Sequence, residues 1–216
     1  LDGARATGYG EAALPLGSSE PLGALVEAIA RAAESLIGQE LGGIDAVGAA
    51  IDSCFAGSNT ARAGLYSALV DAAARLAGVP LHQALGSTAA TPLVTDITLP
   101  IADSAHLARM AIGYWERGFS CFKIKVGADL VADKRTVELV ARATPEVALL
   151  FDANEGYRAD AAIELVRHTR ALGLALTCFE QPCGREDHAG LRRVREQGGV
   201  AVVADESVRD ETDLDS

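Results

Sequence analysis

The stretch CFKIKVG, residues 121–127, decides how the second half of this 216-residue chain is interpreted. Side chains alternate between the two faces of a β-strand, so Lys123 and Lys125 share one face while Ile124 and Val126 take the other. Lysine is rarely buried without a partner. Two structures fit this pattern: an edge strand with its lysines in solvent, or a buried strand whose lysines line a reactive cavity.

The chain around this stretch alternates between strand and helix patterns. Apolar runs typical of strands occupy 93–99, 121–126, 148–151, 176–179 and 200–204, and helical periodicity occupies 104–117, 129–143, 159–172 and 187–197. Short connections join them, as in a parallel sheet wound with helices. No GxGxxG motif follows the first strand and no P-loop motif occurs, so nucleotide-binding folds lose their main support. The predicted fold class is α/β, with the strands arranged as in a (β/α) barrel.

Residues 1–90 follow a different pattern. It predicts a strand over 4–12, helices over 22–36, 46–53 and 61–76, and a turn-rich boundary over 87–92. Gly78 is a plausible end of the third helix, with Pro80 just beyond it. Two domains are therefore expected, covering residues 1–90 and 91–216.

Three of the predicted strands lead into an acid, in the sequences LLFDAN, LTCFEQP and AVVADES. These acids are Asp152, Glu180 and Asp205, and each follows the previous site, beginning with Lys125, by about one βα repeat. Any one of them could simply cap a helix. Together, on consecutive strands, they are expected at equivalent heights and close enough to converge. Converging carboxylates repel unless a cation lies between them, and oxygen ligands favour Mg²⁺, with Mn²⁺ as the alternative.

A barrel gives the two lysines a defined place. One strand face packs on the helices, so Lys123 and Lys125 are expected on the interior face, with Lys125 at the mouth beside the metal. A divalent cation and a second ammonium group favour the neutral form of a lysine, which can remove a proton. The predicted reaction is removal of the proton α to the carboxylate of a small substrate, with the metal stabilising the enediolate.

Charge, apolar runs and cysteine spacing limit the classes of binding partner and the cellular compartment that fit this sequence. The formal net charge of −11 argues against nucleic acid or an anionic membrane as a partner. No apolar run reaches about 18 residues, and the first residues lack a signal-peptide layout. The four cysteines show no CxxC spacing and are expected as buried free thiols, which favours the cytoplasm. The four histidines lie away from the strand ends and are expected to be structural or exposed.

Taken together, the motifs resemble the enolase superfamily and, within it, the muconate lactonizing enzyme subgroup. GYGEA (8–12) and LYSALVDAAARLAGVPLHQALG (65–86) are similar to the last strand and closing helix of that family's α+β capping domain. KIK, DAN, EQP and ADES then follow in the family's order. The resemblance implies part of a capping domain over 1–90 and the first five βα units of a TIM-type barrel over 91–216.

The resemblance also implies roles for individual residues. The acid/base lysine and its partner are Lys125 and Lys123, the Mg²⁺ ligands are Asp152, Glu180 and Asp205, and the adjoining polar positions are Asn154 and Glu206. Residues 12–19 are similar to a loop that closes over the substrate, and they read equally well as an ordinary surface loop.

The first barrel strand, TDITLPI (95–101), and the contexts of the later motifs resemble dipeptide epimerases most. Muconate cycloisomerase, o-succinylbenzoate synthase and N-acylamino acid racemase share these motifs and stay open as alternatives. The rivals from other classes are a catalytically decayed paralogue and an aldolase-type barrel that uses Lys125 as a Schiff base. The family has a second acid/base lysine on a sixth strand and often forms oligomers. Because this chain begins with Leu1 and shows no sixth strand, a longer protein is expected. The resemblance to a family that often forms oligomers implies a homo-oligomer.

Overall fold

The structure is a computed structural model that describes residues 5–14, 18–40, 43–55, 58–209 and 211–215. The chain divides into two compact units, Leu1–Pro92 and Leu93–Ser216. The predicted substrate loop over 12–19 includes residues 15–17, which lie outside the described residues. Within the described ranges, no helix combines the length and the low charge needed to cross a membrane.

The first unit is helical in its described part. Its helices are α1 (Leu22–Leu36), α2 (Ile44–Cys54), α3 (Asn59–Ala77) and α4 (Leu81–Ala84). Buried aliphatic side chains from the three longer helices form its core: Leu36, Val47, Ile51 and Val70. The third helix begins where the Ser58 hydroxyl accepts a hydrogen bond from the Ala61 N–H, and it ends at Gly78, whose φ of 67° suits glycine.

The strand predicted over 4–12 was wrong. Residue 4 lies outside the described residues, and 5–12 form no strand. Instead this segment lies against α3, where a Cβ added to Gly8 would fall 1.9 Å from the Ala68 carbonyl oxygen. The backbone N–H of Tyr9 donates to Asp71 Oδ2 at 2.9 Å rather than to a neighbouring strand. The glycines in this segment are therefore explained by its close contact with α3, which only a residue without a side chain permits.

The second unit contains a parallel sheet with its strands in chain order. The strands are β1 (Ile97–Leu99), β2 (Cys121–Lys125), β3 (Ala148–Asp152), β4 (Ala175–Glu180) and β5 (Ala201–Val203). The helices between them are α5 (Ser104–Trp115), α6 (Leu130–Ala143), α7 (Ala159–Ala171) and α8 (His188–Arg193). Together they confirm the predicted α/β alternation.

One face of this sheet forms the core with the helices. The largest buried side chains on it are Phe122, Phe151 and Phe179, each with no exposed surface. The rings of Phe151 and Phe179 meet edge to face at 5.5 Å between centroids. Burying an aromatic or aliphatic side chain of this size contributes about 1.5–3 kcal/mol, so this layer fixes which residues face the other way.

The largest departures from the predicted ranges concern β1 and α8. Strand β1 starts at Ile97 rather than at residue 93, because its pairing with β2 runs only from Ile97 to Leu99. Leu93 and Val94 precede that ladder and are largely exposed. Helix α8 is followed directly by a π-helical turn, Val194–Gly198, which ends at Gly199 with a φ of 68°.

Candidate active site

The site is built on the carboxyl ends of β2, β3 and β4. In the sheet register Lys125 pairs with Asp152, and Asp152 pairs with Glu180, so the three side chains form a lateral row. Burial alternates along β2, with Phe122 and Ile124 inside the helix-covered core. Lys123 and Lys125 therefore project from the opposite face, as the sequence predicts, and each keeps part of its side chain exposed.

The two ammonium groups neutralise the two acids of this row. Lys123 Nζ lies 2.8 Å from Asp152 Oδ2 and donates to Glu180 Oε1 at 2.7 Å. Lys125 Nζ donates to the same Asp152 oxygen at 2.5 Å. Charge-assisted bonds of this length are the stronger class of protein hydrogen bond, so the cluster is held together by charge.

The acids respond differently to this environment. Burial pushes the pKa of Asp152 up, but the hydrogen bonds from Lys123 and Lys125 outweigh it and hold that pKa below its ordinary value. The pKa of Glu180 is raised, first by burial and further by the neighbouring charge of Asp152, against the hydrogen bond from Lys123. The pKa of Lys123 is raised as well, because its bonds to the two acids exceed the effect of its burial.

Asn154 and Glu206 extend the cluster from the loops that follow β3 and β5. Lys125 Nζ donates to Asn154 Oδ1 at 2.7 Å, and Asn154 Nδ2 donates to Glu206 Oε1 at 3.1 Å. The positive φ of Asn154, 42°, is unusual for a residue with a side chain and accompanies these contacts. The other carboxylate oxygen, Glu206 Oε2, is buried and has no hydrogen-bond partner among the described residues.

Asp205 does not stand at the height expected from its spacing. Glu180 pairs with Val203, the last residue of β5, so Asp205 lies two positions beyond the row, in the loop. Its side chain is exposed, and within the described ranges no hydrogen bond or ion pair joins its carboxylate to another group. The prediction of equivalent heights was wrong for Asp205, because Val203 is the residue that ends β5 level with Asp152 and Glu180, and Asp205 follows it by two residues.

The residues present fit a divalent metal by their chemistry. Across the described ranges, no three His, Cys, Asp or Glu side chains stand close enough together to hold an ion. Asp152 and Glu180 nevertheless place two carboxylates side by side, bridged by the Lys123 ammonium where a cation is required. Glu206, joined to the cluster through Asn154, adds an unpartnered carboxylate oxygen, a hard donor of the kind that Mg²⁺ prefers, and Asp205 precedes it in the loop after β5.

Several residues that support the site were not singled out from the sequence. The carboxylate of Asp133 accepts from the Gly127 N–H and from the Tyr157 hydroxyl, which ties the loops after β2 and β3 together. Burial and this bond raise the pKa of Tyr157. Arg185 forms a two-pronged ion pair with Glu155, which joins the loops after β4 and β3. An acid in the first turn of a helix was the only sequence signal for Asp133.

Two family models match the chain. The one described as "Enolase C-terminal domain-like" matches residues 106–216, and the one described as "Mandelate racemase / muconate lactonizing enzyme, N-terminal domain" matches residues 3–86. The first match falls within the second unit and the second match within the first unit.

Curated relatives carry epimerase names. An aromatic dipeptide epimerase from Herpetosiphon aurantiacus is 34% identical over 96% of this chain and 58% of its own length. An L-Ala-D/L-Glu epimerase from Bacillus subtilis is 36% identical over 81% of this chain and 48% of its own length. An L-Ala-D/L-amino acid epimerase from Populus trichocarpa is 40% identical over 68% of this chain and 36% of its own length. The chain thus spans between about a third and three fifths of these relatives.

Solved structures agree with the fold. A mandelate racemase/muconate lactonizing protein from Herpetosiphon aurantiacus superposes with a TM-score of 0.86 at 33% identity, covering 96% of this chain and 59% of its own. A dipeptide epimerase from Enterococcus faecalis, complexed with Mg and the dipeptide L-Leu-L-Tyr, superposes with a TM-score of 0.84 at 29% identity, covering 95% and 58%. The chain belongs to the mandelate racemase/muconate lactonizing enzyme family of the enolase superfamily.

Proposed function

We propose that the protein is an isomerase that removes the proton α to a carboxylate with the help of Mg²⁺, and that its reaction is the epimerisation of a dipeptide. The observation that carries the proposal is the row of Lys125, Asp152 and Glu180, with Lys123 between the acids. The epimerase names of the relatives support the dipeptide as substrate class. A small carboxylate substrate, a cytoplasmic location and a homo-oligomeric state belong to the same proposal.

In this proposal Asp152, Glu180 and Asp205 hold the divalent ion, and Mn²⁺ can replace Mg²⁺. When bound, the ion supplies positive charge that offsets the negative charge growing on the substrate carboxylate as the α-proton leaves. The residues of the chain do the rest. Asp152 and Glu180, at the ends of β3 and β4, would hold the ion at a defined place beside β2. The substrate carboxylate would then take a defined position relative to Lys125.

Lys125 is the proposed base on one face of the α-carbon. Its amine is held by Asn154 Oδ1 and Asp152 Oδ2 at the open end of β2, so its direction is set before substrate arrives. Only the neutral amine can remove a proton. The Lys125 ammonium must therefore give up its own proton, to solvent or to a neighbouring carboxylate, before it acts as the base. Lys123 stays charged between the two acids and positions them. The base for the opposite face remains the predicted lysine of a sixth strand.

Hydrogen exchange at the α-carbon tests this proposal directly. The full-length protein is incubated in D₂O with Mg²⁺ and a panel of dipeptides, including Ala–Glu and apolar pairs, and deuterium incorporation is followed by NMR. We expect Mg²⁺-dependent exchange that Lys125→Ala abolishes. Lys134→Ala is the matched control, because this lysine of α6 pairs with Glu164 on the surface and should leave exchange unchanged.

The outcomes separate the rival functions. Turnover of an o-succinylbenzoate precursor or of muconate, with no exchange in any dipeptide, would favour the synthase or cycloisomerase alternatives. Borohydride trapping of a carbonyl substrate on Lys125 would favour the Schiff-base barrel. An absence of exchange with every carboxylate tested would favour a decayed paralogue and contradict the proposal.

A further inference from the structure

We propose that Gln181 is a positioning residue that sets the place of Asp205 relative to Glu180. Gln181 directly follows Glu180 at the end of β4, and its side chain contacts the backbone on both sides of Glu206 in the loop after β5. The inference rests on the proposed function, in which Glu180 and Asp205 bind one divalent ion. It adds a residue whose own atoms touch neither the ion nor the substrate.

The side-chain amide of Gln181 uses its full hydrogen-bonding capacity although it is completely buried. Its Oε1 accepts from the N–H groups of Asp205 at 2.9 Å and Ser207 at 3.1 Å. Its Nε2 donates to the Cys183 carbonyl at 3.0 Å and to Ser207 Oγ at 2.7 Å. A buried amide with all four bonds formed specifies one arrangement of the groups around it, because any shift leaves a buried polar atom unpaired.

The backbone of Gln181 continues this link. Its N–H donates to the Val203 carbonyl at 2.9 Å, which extends the pairing of β4 with β5 by one residue. Its carbonyl accepts from the Glu155 N–H at 3.0 Å, so the loop after β3 is attached as well. The φ of Gln181 is +33°, a conformation that residues with side chains seldom adopt and that the surrounding bonds maintain.

Asp205 depends on this link for its position. Its carboxylate is exposed and forms no bond to another group of the described chain, so nothing on its side chain fixes it. Its backbone N–H is fixed by Gln181 Oε1. The same amide holds Ser207, whose hydroxyl donates in turn to the Arg185 carbonyl at 2.8 Å. Beyond the last ladder bond at Val203, the Gln181 side chain therefore ties the Asp205 backbone to the end of β4.

The chemistry of the amide is specific. A glutamate at this position would keep the two bonds from the Asp205 and Ser207 N–H groups. It would, however, place an oxygen where Nε2 now stands, facing the Cys183 carbonyl oxygen. Two acceptors cannot form a hydrogen bond without a proton between them. Gln181→Glu should therefore displace the loop after β5, although the side-chain volume is unchanged.

The affinity for Mn²⁺, used as the probe ion, tests the inference on the full-length protein. Binding is followed by electron paramagnetic resonance of the free ion, which needs no substrate and no turnover. We expect Gln181→Glu to weaken Mn²⁺ binding by about 10- to 100-fold, the range found when outer partners of metal ligands are changed. Ser207→Ala removes one of the four bonds and should weaken it less, in the same direction. It remains decisive if Gln181→Glu fails to fold.

Thr144→Val is the matched control for lost stability. It removes another buried hydrogen bond, from Thr144 Oγ1 to the Val140 carbonyl at 2.8 Å, at the end of α6. We expect it to leave Mn²⁺ affinity unchanged.

Asp205→Asn distinguishes failure of the role of Gln181 from failure of the proposed metal site. If Asp205→Asn weakens binding while Gln181→Glu and Ser207→Ala do not, the role of Gln181 is overturned and the proposed metal site stands. If Asp205→Asn has no effect, the proposed metal site itself is overturned.

Discussion

Replacing Lys123 by methionine tests whether the pairing of Asp152 with Glu180 depends on the charge of Lys123. Methionine keeps an unbranched side chain of similar length, so packing along β2 is largely preserved. The ammonium group that contacts Asp152 at 2.8 Å and Glu180 at 2.7 Å is lost. Asp152 keeps its bond from Lys125, and Glu180 is left beside a second negative charge without its ammonium partner.

The size of the effect follows from the burial of the pair. Removing one partner of a buried ion pair costs about 3–5 kcal/mol. Asp152 is 1% exposed, whereas the side chains of Lys123 and Glu180 are 19% and 18% exposed, so water reduces part of that loss. We expect the free energy of unfolding to fall by about 2–3 kcal/mol at neutral pH, with a chelator present to exclude divalent ions.

The loss should grow as the pH rises. The pKa of Glu180 is raised by burial and by Asp152, and Lys123→Met removes the bond that opposes this rise. A carboxyl whose folded pKa lies above its unfolded pKa, about 4.3 for glutamate, loses stability as the pH climbs from the unfolded value towards the folded one. The bonds from the lysines lower the pKa of Asp152, and the stability this provides is present above the ordinary aspartate range, so its partial loss acts in the same direction.

Urea unfolding of the full-length protein at about pH 5 and about pH 8 measures both effects. The deficit of Lys123→Met relative to the wild type should be smaller near pH 5. Adding Glu180→Gln to Lys123→Met should restore about 1–2 kcal/mol, because it removes the unpaired charge. A deficit that is independent of pH and unchanged by Glu180→Gln would refute the reasoning and assign Lys123 to packing alone.

Three further predictions concern the loops and the core beside the site. Tyr157→Phe removes the hydroxyl that donates to the buried carboxylate of Asp133, so urea unfolding should show a loss of about 1–3 kcal/mol; an unchanged free energy would contradict this bond. Gly156→Ala places a methyl group 2.7 Å from the carbonyl oxygen of Gly127 and 2.9 Å from that of Ala153. It should therefore destabilise the protein by about 1–3 kcal/mol in the same assay, and a neutral result would show that the loops can separate freely. Burial raises the pKa of Cys183 to about 11, and its side chain has no exposed surface. Thiol labelling followed by mass spectrometry should find Cys183 unmodified in the native protein and modified after unfolding, whereas rapid native labelling would contradict its burial.

The sequence predicted the parts of the fold that depend on local pattern. Strand β2 and the direction of Lys123 and Lys125 followed from alternation, because Phe122 and Ile124 had to enter the core. The row of Lys125, Asp152 and Glu180 followed from the repeat of the βα unit, because the strands of successive parallel units end at one edge of the sheet.

The remaining features depend on contacts between distant segments, which a pattern does not contain. GYGEA alternates as a strand does, but Gly8 and Gly10 are glycines because α3 passes within contact of them. The position of Asp205 depends on where β5 ends and on the amide of Gln181, a residue that reads from the sequence only as a neighbour of Glu180. The spacing therefore predicted Asp205 level with Asp152 and Glu180, whereas it lies two residues beyond the end of β5.

The anomalous scattering of Mn²⁺ in crystals of the full-length protein, soaked with the ion and a dipeptide, is the most direct measurement of the central claim. The account predicts one strong peak among the carboxylates of Asp152, Glu180 and Asp205, with the amine of Lys125 facing the α-carbon of the dipeptide. A peak elsewhere, with Lys123 and Lys125 still bonded to Asp152, would contradict it.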